Sequence, residues 1–244
     1  KFTDNIVYSG YYGDDADSEK TFINTISIRS TQGSDLIFDE NNENQNLIVG
    51  SIIAGAGEKN STNGGKITIG GATTKIFGDV FAGNGGTINI TLDGADSFLE
   101  GQVDDYHELA NADMADKVFR NSAFMDSNGN ELDVTSAGNA TLNINDGAKW
   151  VARGQSFIDT VTLNGGIIDM SRNENSSVTV KNLKGEGGKF IMRLDTGDHG
   201  NSDMLYVTGT FEGTYELDII GNEFVASEIT EDNPLRFATI KGDV

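Results

Sequence analysis

Gly65-Lys66-Ile67-Thr68-Ile69 is followed, from 65 to 86 and so 21 residues on, by Gly86-Thr87-Ile88-Asn89-Ile90. In each copy a glycine leads a short run whose alternate residues are isoleucine, which gives one apolar and one polar face. A second pair keeps step with the first: Ile76-Phe77-Gly78-Asp79-Val80, then, from Gly78 to Gly101 and so 23 residues later, Leu99-Glu100-Gly101-Gln102-Val103. The series resumes at Asn139-Ala140-Thr141-Leu142-Asn143-Ile144, Val161-Thr162-Leu163, Val178-Thr179-Val180 and Lys189-Phe190-Ile191-Met192-Arg193-Leu194. A sheet of hairpins produces the same alternation. Imperfect repeats in the low twenties favour coils that stack, because one coil cannot bury its own inward face. In such a stack Ile67 and Ile69 lie inward beneath Ile88 and Ile90, while Thr68 and Asn89 face water. The expectation is an all-β chain, a right-handed parallel β-helix (solenoid), preferred over a sandwich.

Composition narrows the function. The chain has 244 residues with 17 Lys+Arg against 38 Asp+Glu, a formal net charge of −21. Such a surface repels phosphate backbones and anionic headgroups, so neither nucleic acid nor an acidic membrane is an expected partner. Cysteine is absent, which removes disulfide scaffolds, thiol catalysis and cysteine-ligated zinc. The 31 glycines and single proline indicate many tight corners that are not led by proline. No apolar run is long enough to span a membrane as a helix. Lys1 in place of an initiating methionine leads us to expect an excised fragment, with any signal or anchor lying elsewhere.

Two segments break the pattern. Residues 104–133 contain Asp104-Asp105-Tyr106-His107-Glu108-Leu109-Ala110, a glycine-poor stretch expected to form a short helix inserted between coils. Residues 1–20, with Tyr8-Ser9-Gly10-Tyr11-Tyr12-Gly13-Asp14-Asp15, read as an irregular loop, the first coil starting near Asn24-Thr25-Ile26-Ser27-Ile28. The chain therefore divides into 1–137, coils with a loop and an insertion, and 138–244, the C-terminal coils.

From about Gly138 to Asn222 the sequence resembles the C-terminal part of bacterial autotransporter passenger domains of the pertactin and AIDA-like adhesin kind. Gly147-Ala148-Lys149-Trp150, then Ser156-Phe157-Ile158 and Val161-Thr162-Leu163-Asn164-Gly165-Gly166, is similar to that family's paired strands. Ser202-Asp203-Met204-Leu205-Tyr206-Val207-Thr208-Gly209 is similar to its S-D-x-L-x-V-x-G signature, and Phe211 to Ile219 continue as its next strand does. Asp96-Ser97-Phe98-Leu99-Glu100-Gly101 resembles an upstream rung of the AIDA-like group. The resemblance implies a passenger fragment exported through the outer membrane to the bacterial cell surface or secreted, acting in adhesion to a protein or glycan receptor or in self-association. It also implies that the last coils nucleate folding, as an autochaperone, and that a translocator barrel follows in the full-length protein. Pro234 to Ile240 are similar to the last strand before the linker to that barrel.

The residues support a folding role independently. Trp150, the only tryptophan, and Phe190, Met192, Leu194, Leu205, Tyr206, Val207, Phe211, Tyr215 and Leu217 gather large apolar side chains late in the chain, and aromatic burial is a large source of core energy. They form the expected folding core.

Catalytic constellations fare poorly. A Ser-His-Asp triad must use His107 or His199, the two histidines. His199 crowds with Asp198, Ser202 and Asp203 in one short segment, which reads as turn chemistry, and His107 reads as a solvated side chain. Gly13-Asp14-Asp15 echoes a motif of β-helical pectin-degrading enzymes without their companion motifs. Catalysis by two carboxylates needs a pair roughly 5–9.5 Å apart on one face, which leaves a polysaccharide lyase or glycoside hydrolase as the alternative function. Asp126-Ser127-Asn128-Gly129-Asn130-Glu131 starts like a calcium loop, but Glu131 and Ala137 stand where such a loop needs glycine and glutamate. Asn60, Asn89, Asn139 and Asn175 head glycosylation sequons that a chain rich in Asn, Ser and Thr yields by composition. No catalytic residue, cofactor or metal is expected.

Overall fold

The computed structural model describes residues 5–8, 26–30, 33–38, 45–55, 64–106, 136–173, 175–195, 202–221, 229–231 and 235–241. Among them there is no helix and there are twenty strands. In chain order the first are β1 (Asn5–Tyr8), β2 (Ile26–Ser30), β3 (Asp35–Phe38), β4 (Gln45–Val49), β5 (Ser51–Ala54), β6 (Lys66–Ile69) and β7 (Thr73–Phe77). Then come β8 (Val80–Ala82), β9 (Thr87–Asp93), β10 (Phe98–Gly101), β11 (Val103–Asp104), β12 (Asn139–Asn145), β13 (Lys149–Ala152) and β14 (Gln155–Asn164). The last are β15 (Ile167–Asp169), β16 (Ser177–Lys184), β17 (Glu186–Arg193), β18 (Met204–Val207), β19 (Thr214–Ile220) and β20 (Ala238–Ile240).

All pairing between these strands is parallel, and it falls into three runs. The first is β1-β4-β7-β10-β13-β15-β17-β19. The second runs β2-β5-β8-β11 into the first half of β14, then through β16 and β18 to β20. The third runs β3-β6-β9-β12 into the second half of β14 and on to the second half of β16. Because β14 pairs with both β11 and β12, the second and third runs merge into one twelve-stranded sheet. The chain visits each run in turn and comes back to lie beside its previous passage. Ile67 pairs with Ile88 and Ile69 with Ile90, and Ile76 pairs with Leu99, as the repeats require.

The core lies between the runs and is built in columns. On the first run Ile48, Ile76, Leu99, Trp150, Ile168, Phe190 and Leu217 follow one another in register. On the third, Phe38, Ile69, Ile90, Leu142, Val161 and Leu183 do the same. Every member except Leu217 is buried. The columns follow from the period of two: with one face inward, a slip of one residue would turn every apolar side chain to water.

The corners explain the glycines. Asn84-Gly85 and Asp146-Gly147 each take positive φ at both residues, and Gly86 N and Ala148 N donate back to the carbonyls of Gly83 (2.7 Å) and Asn145 (2.9 Å). These are type I′ turns, which demand left-handed backbone twice in succession. At another corner Gly50, Gly78 and Gly101 lie over one another: a Cβ on Gly101 would run into the carbonyl of Gly78, and one on Gly78 into that of Gly50. The same column continues at Ala152, paired with Gly101.

Two expectations need correction. Asn5–Tyr8 is a strand paired with Asn46–Val49, not part of an irregular loop. Asp104 and Asp105 belong to the sheet, not to the insertion: Asp104 pairs with Phe81 and Phe157, and Asp105 N donates to Phe157 O (3.0 Å). Both are fully buried. Asn84 N donates to Ser136 O and Gly138 N to Asp105 O, both at 2.8 Å, so the sheet closes again by Ser136. Residues 107–135, with the expected helix, lie outside the described residues, as do Asp14, His199, Asn60, the Asp126 loop and Pro234. The sheets run without a break across residue 138, β12 pairing with β9 and β13 with β10.

Candidate functional site

Of the expected folding core, Trp150, Phe190, Met192, Leu194, Leu205, Tyr206 and Val207 are buried, whereas Phe211, Tyr215 and Leu217 are partly buried against the core. Trp150 Nε1 donates to the carbonyl of Gly101 (3.0 Å), so its one polar atom is satisfied inside the core. Phe190 meets Tyr215 edge-on at 5.8 Å between ring centroids, and Phe211 lies 5.4 Å from Tyr215. Burial lifts the Tyr215 hydroxyl to a pKa of about 12, with Glu186 and Glu212 adding to the shift. β19 and β20 are the last described strands of their runs, and Ile219 and Ile220 on β19, Ile240 on β20 and Phe237 just before it are exposed.

Charges gather at the corner between the first and second runs. Glu100, which is buried, is paired with Arg153, also buried, and Arg172 Nε stands 3.9 Å from the same carboxylate. One circuit away, Asp79 Oδ1 accepts from Gln102 N (2.8 Å). Burial pushes the Asp79 carboxyl above the usual range, while that hydrogen bond and the Arg153 charge pull it down. Two carboxylates and two guanidiniums so close would suit acid–base work on a sugar. Each acid here, however, is engaged by a fixed partner, Glu100 by Arg153 and Asp79 by the Gln102 amide.

The remaining buried aspartates serve the backbone. Asp105 Oδ2 accepts from Asp159 N (2.6 Å) and Ala140 N (3.4 Å). Asp203 is fully buried; its Oδ1 accepts from Ser176 N (2.9 Å) and its Oδ2 from Arg193 N (2.6 Å), which ties three passages of the chain together. Desolvation raises the Asp203 carboxyl to a pKa of about 7 against the pull of these two donors and of Arg193, with Asp169 adding to the rise. Asp105 thus sits just before residues 107–135, and Asp203 just after 196–201, two of the stretches outside the described residues. Sequence reading singled out Asp203 within a motif but not this role; the signal was an Asp one residue before an alternating apolar run.

Outward positions of the third run form a different surface. β9 offers Thr87, Asn89 and Thr91, β12 offers Asn139, Thr141 and Asn143, and β14 offers Thr160 and Thr162, all half-buried. Register places Thr68, Asn89, Thr141, Thr160 and Asn182 in one column. Asn143 Nδ2 donates to Thr91 Oγ1 (3.3 Å) and Asn182 Nδ2 contacts Thr160 Oγ1 (3.5 Å), bonds that cross from one strand to the next. Charge stands around this array, at Lys66, Asp93 and Lys184 and at Asp159, which accepts from Thr160 Oγ1 (2.8 Å) and pairs with Lys181 (3.2 Å). Thr68 and Asn89 were legible as water-facing; the extent of the array emerges only with the register.

Among the described residues no group of three or more His, Asp or Glu could hold a metal ion. Comparison with family models, with curated proteins and with solved structures finds no match.

Proposed function

We propose that this chain is an adhesion module of an autotransporter passenger, displayed at the bacterial surface or secreted, and that its strands wind as a right-handed parallel β-helix. The observation that carries this reading is the continuous parallel pairing along all three runs, with register shifts between Ile26 and Ile28 and between Glu186 and Gly188. Such a stack is stiff along its axis and presents long, regular side faces to a partner. The late motifs of the resemblance lie on this frame: Trp150 in the central column, Asp203 holding three passages together, Leu205 and Val207 inward on β18. The C-terminal coils nucleate folding in this reading, with Trp150 and Phe190 at their centre.

A glycoside-cleaving enzyme is the rival, and Asp79 with Glu100 is where it would act. Pairing of Glu100 with Arg153 and of Asp79 with a backbone amide supports a structural role there. The test is a binding screen of the purified fragment against surface polysaccharides, cells and itself, run beside a turnover assay. Binding without cleavage supports adhesion. Turnover lost on Asp79→Asn or Glu100→Gln would establish the enzyme, and an absence of any binding would remove the adhesive reading.

A further inference from the structure

We infer that the threonine and asparagine face of the third run binds an uncharged polysaccharide laid along the stacking direction. This rests on the adhesive reading and names its ligand. The first argument is charge. A typical soluble surface carries about a quarter to a third charged residues, and this chain has a net charge of −21. The outward positions Thr87, Asn89, Thr91, Asn139, Thr141, Asn143 and Thr162 nevertheless carry neither acid nor base, Asp93 and Asp159 standing at their edge. An anionic polymer is repelled by the molecule as a whole and meets cations only at the edges of this face, Lys66 beside Thr87 and Lys184 beside Thr162. A neutral one is not.

The second argument is chemistry. Threonine hydroxyls and asparagine amides each donate and accept, which matches a partner made of hydroxyl groups. Protein interfaces are anchored by aromatic, methionine and arginine side chains at their centres, and none of the outward positions of β9 or β12 offers one. The face is therefore ill suited to a protein partner or to a second copy. The third argument is repetition. Parallel strands repeat about every 4.7–4.9 Å, so equivalent groups recur along the column Asn89, Thr141, Thr160. Cross-strand hydrogen bonds such as Asn143 to Thr91 hold the side chains in place before any ligand arrives. A polymer with its own repeat can engage several circuits at once, each weakly, and gain by effective concentration.

The test is affinity electrophoresis in gels containing soluble dextran, galactomannan or xyloglucan, with polygalacturonate as the charged control. The parent fragment should be retarded by at least one neutral polysaccharide and not by polygalacturonate. Thr141→Glu should weaken that retardation at least tenfold, while Thr141→Ser keeps it, and circular dichroism verifies the fold of each. Should Thr141→Glu fail to fold, Thr162→Glu takes its place. No retardation by any of the three polymers, or retardation indifferent to the added charge, overturns the proposal. So does a charged variant that changes only the fragment's self-association in sedimentation, because the face then meets a second copy. If adhesion to cells persists while these polysaccharide results fail, the ligand assignment falls and the adhesive reading stands.

Discussion

Replacing Trp150 separates packing from hydrogen bonding at the centre of the stack and also tests where folding begins. Its indole is fully buried between Leu99 and Ile168 in register, with Nε1 on the Gly101 carbonyl. Trp150→Ala removes the ring from a column that cannot collapse without shifting several strands, so the cost should be near the upper part of the 3–5 kcal/mol typical of buried aromatics, about 4 kcal/mol. Trp150→Phe keeps most of the packing but strips the donor from a buried carbonyl, at a cost of about 1–3 kcal/mol. For a chain of this length 1 kcal/mol corresponds to about 2–4 °C in Tm. Trp150→Ala should thus lower the midpoint by roughly 10 °C. Urea denaturation followed by far-ultraviolet circular dichroism gives the equilibrium costs, since the variants lack the only tryptophan. Stopped-flow refolding supplies the second half. If the C-terminal coils nucleate, Trp150→Ala slows refolding, whereas Ile67→Ala, equally buried on β6, mainly speeds unfolding. A Trp150→Ala cost under about 1 kcal/mol would refute the packing argument. Equal slowing of refolding by both variants would refute the nucleation order.

The Asp203 carboxyl, held at a pKa of about 7 in the fold against 3.8 for the ordinary group, binds its proton more tightly when folded. Its contribution to stability is therefore complete below about pH 4 and is lost as pH rises through about 7, so the stability difference between parent and Asp203→Asn should change across that window. A pH-independent difference in urea midpoints would show that the carboxyl keeps an ordinary pKa. Glu100→Ala should destabilise by about 3–5 kcal/mol because it strands the buried Arg153 charge, and Glu100→Leu with Arg153→Met should recover most of that loss. A double variant no better than Glu100→Ala in thermal melts would mean that the pair does more than cancel its own burial.

The inward isoleucines of β6 and β9 were readable from alternation and offset alone, because side-chain direction in a strand has a period of two and the repeat sets the partner. The polar face was half readable for the same reason: Thr68 and Asn89 had to point outward once Ile67 and Ile69 pointed in. The Glu100–Arg153 pair was not readable, since its members stand 53 residues apart and meet only because the chain re-enters the sheet after residue 135. Asp104 and Asp105 misled for an energetic reason. Their burial is compensated in part by backbone amides, among them Tyr106 N on Asp104 and Asp159 N on Asp105, and such partners leave no mark in composition. Asn5–Tyr8 was missed because a four-residue strand beside tyrosines and glycines carries too short a pattern to register as one. The late aromatic residues were legible as a group, but not the lesser enclosure of Phe211, Tyr215 and Leu217, which depends on their place on or beside the last paired strands.

The glycine column at Gly50, Gly78 and Gly101 sets a rule for growth. Gly78 and Gly101 are each crowded by the carbonyl of the glycine before them, and the strands they join pair with their neighbours on either side in the runs. If the strands wind as the β-helix proposed above, nothing in such an arrangement measures total height. A duplication of one complete circuit would present the same corner to the old neighbours and acquire correct partners on both sides. A duplication of half a circuit would put the strands out of register and turn an apolar column outward. Length is then a quantity that recombination can change in whole steps, lengthening or shortening the molecule while the pattern on its sides stays as it was.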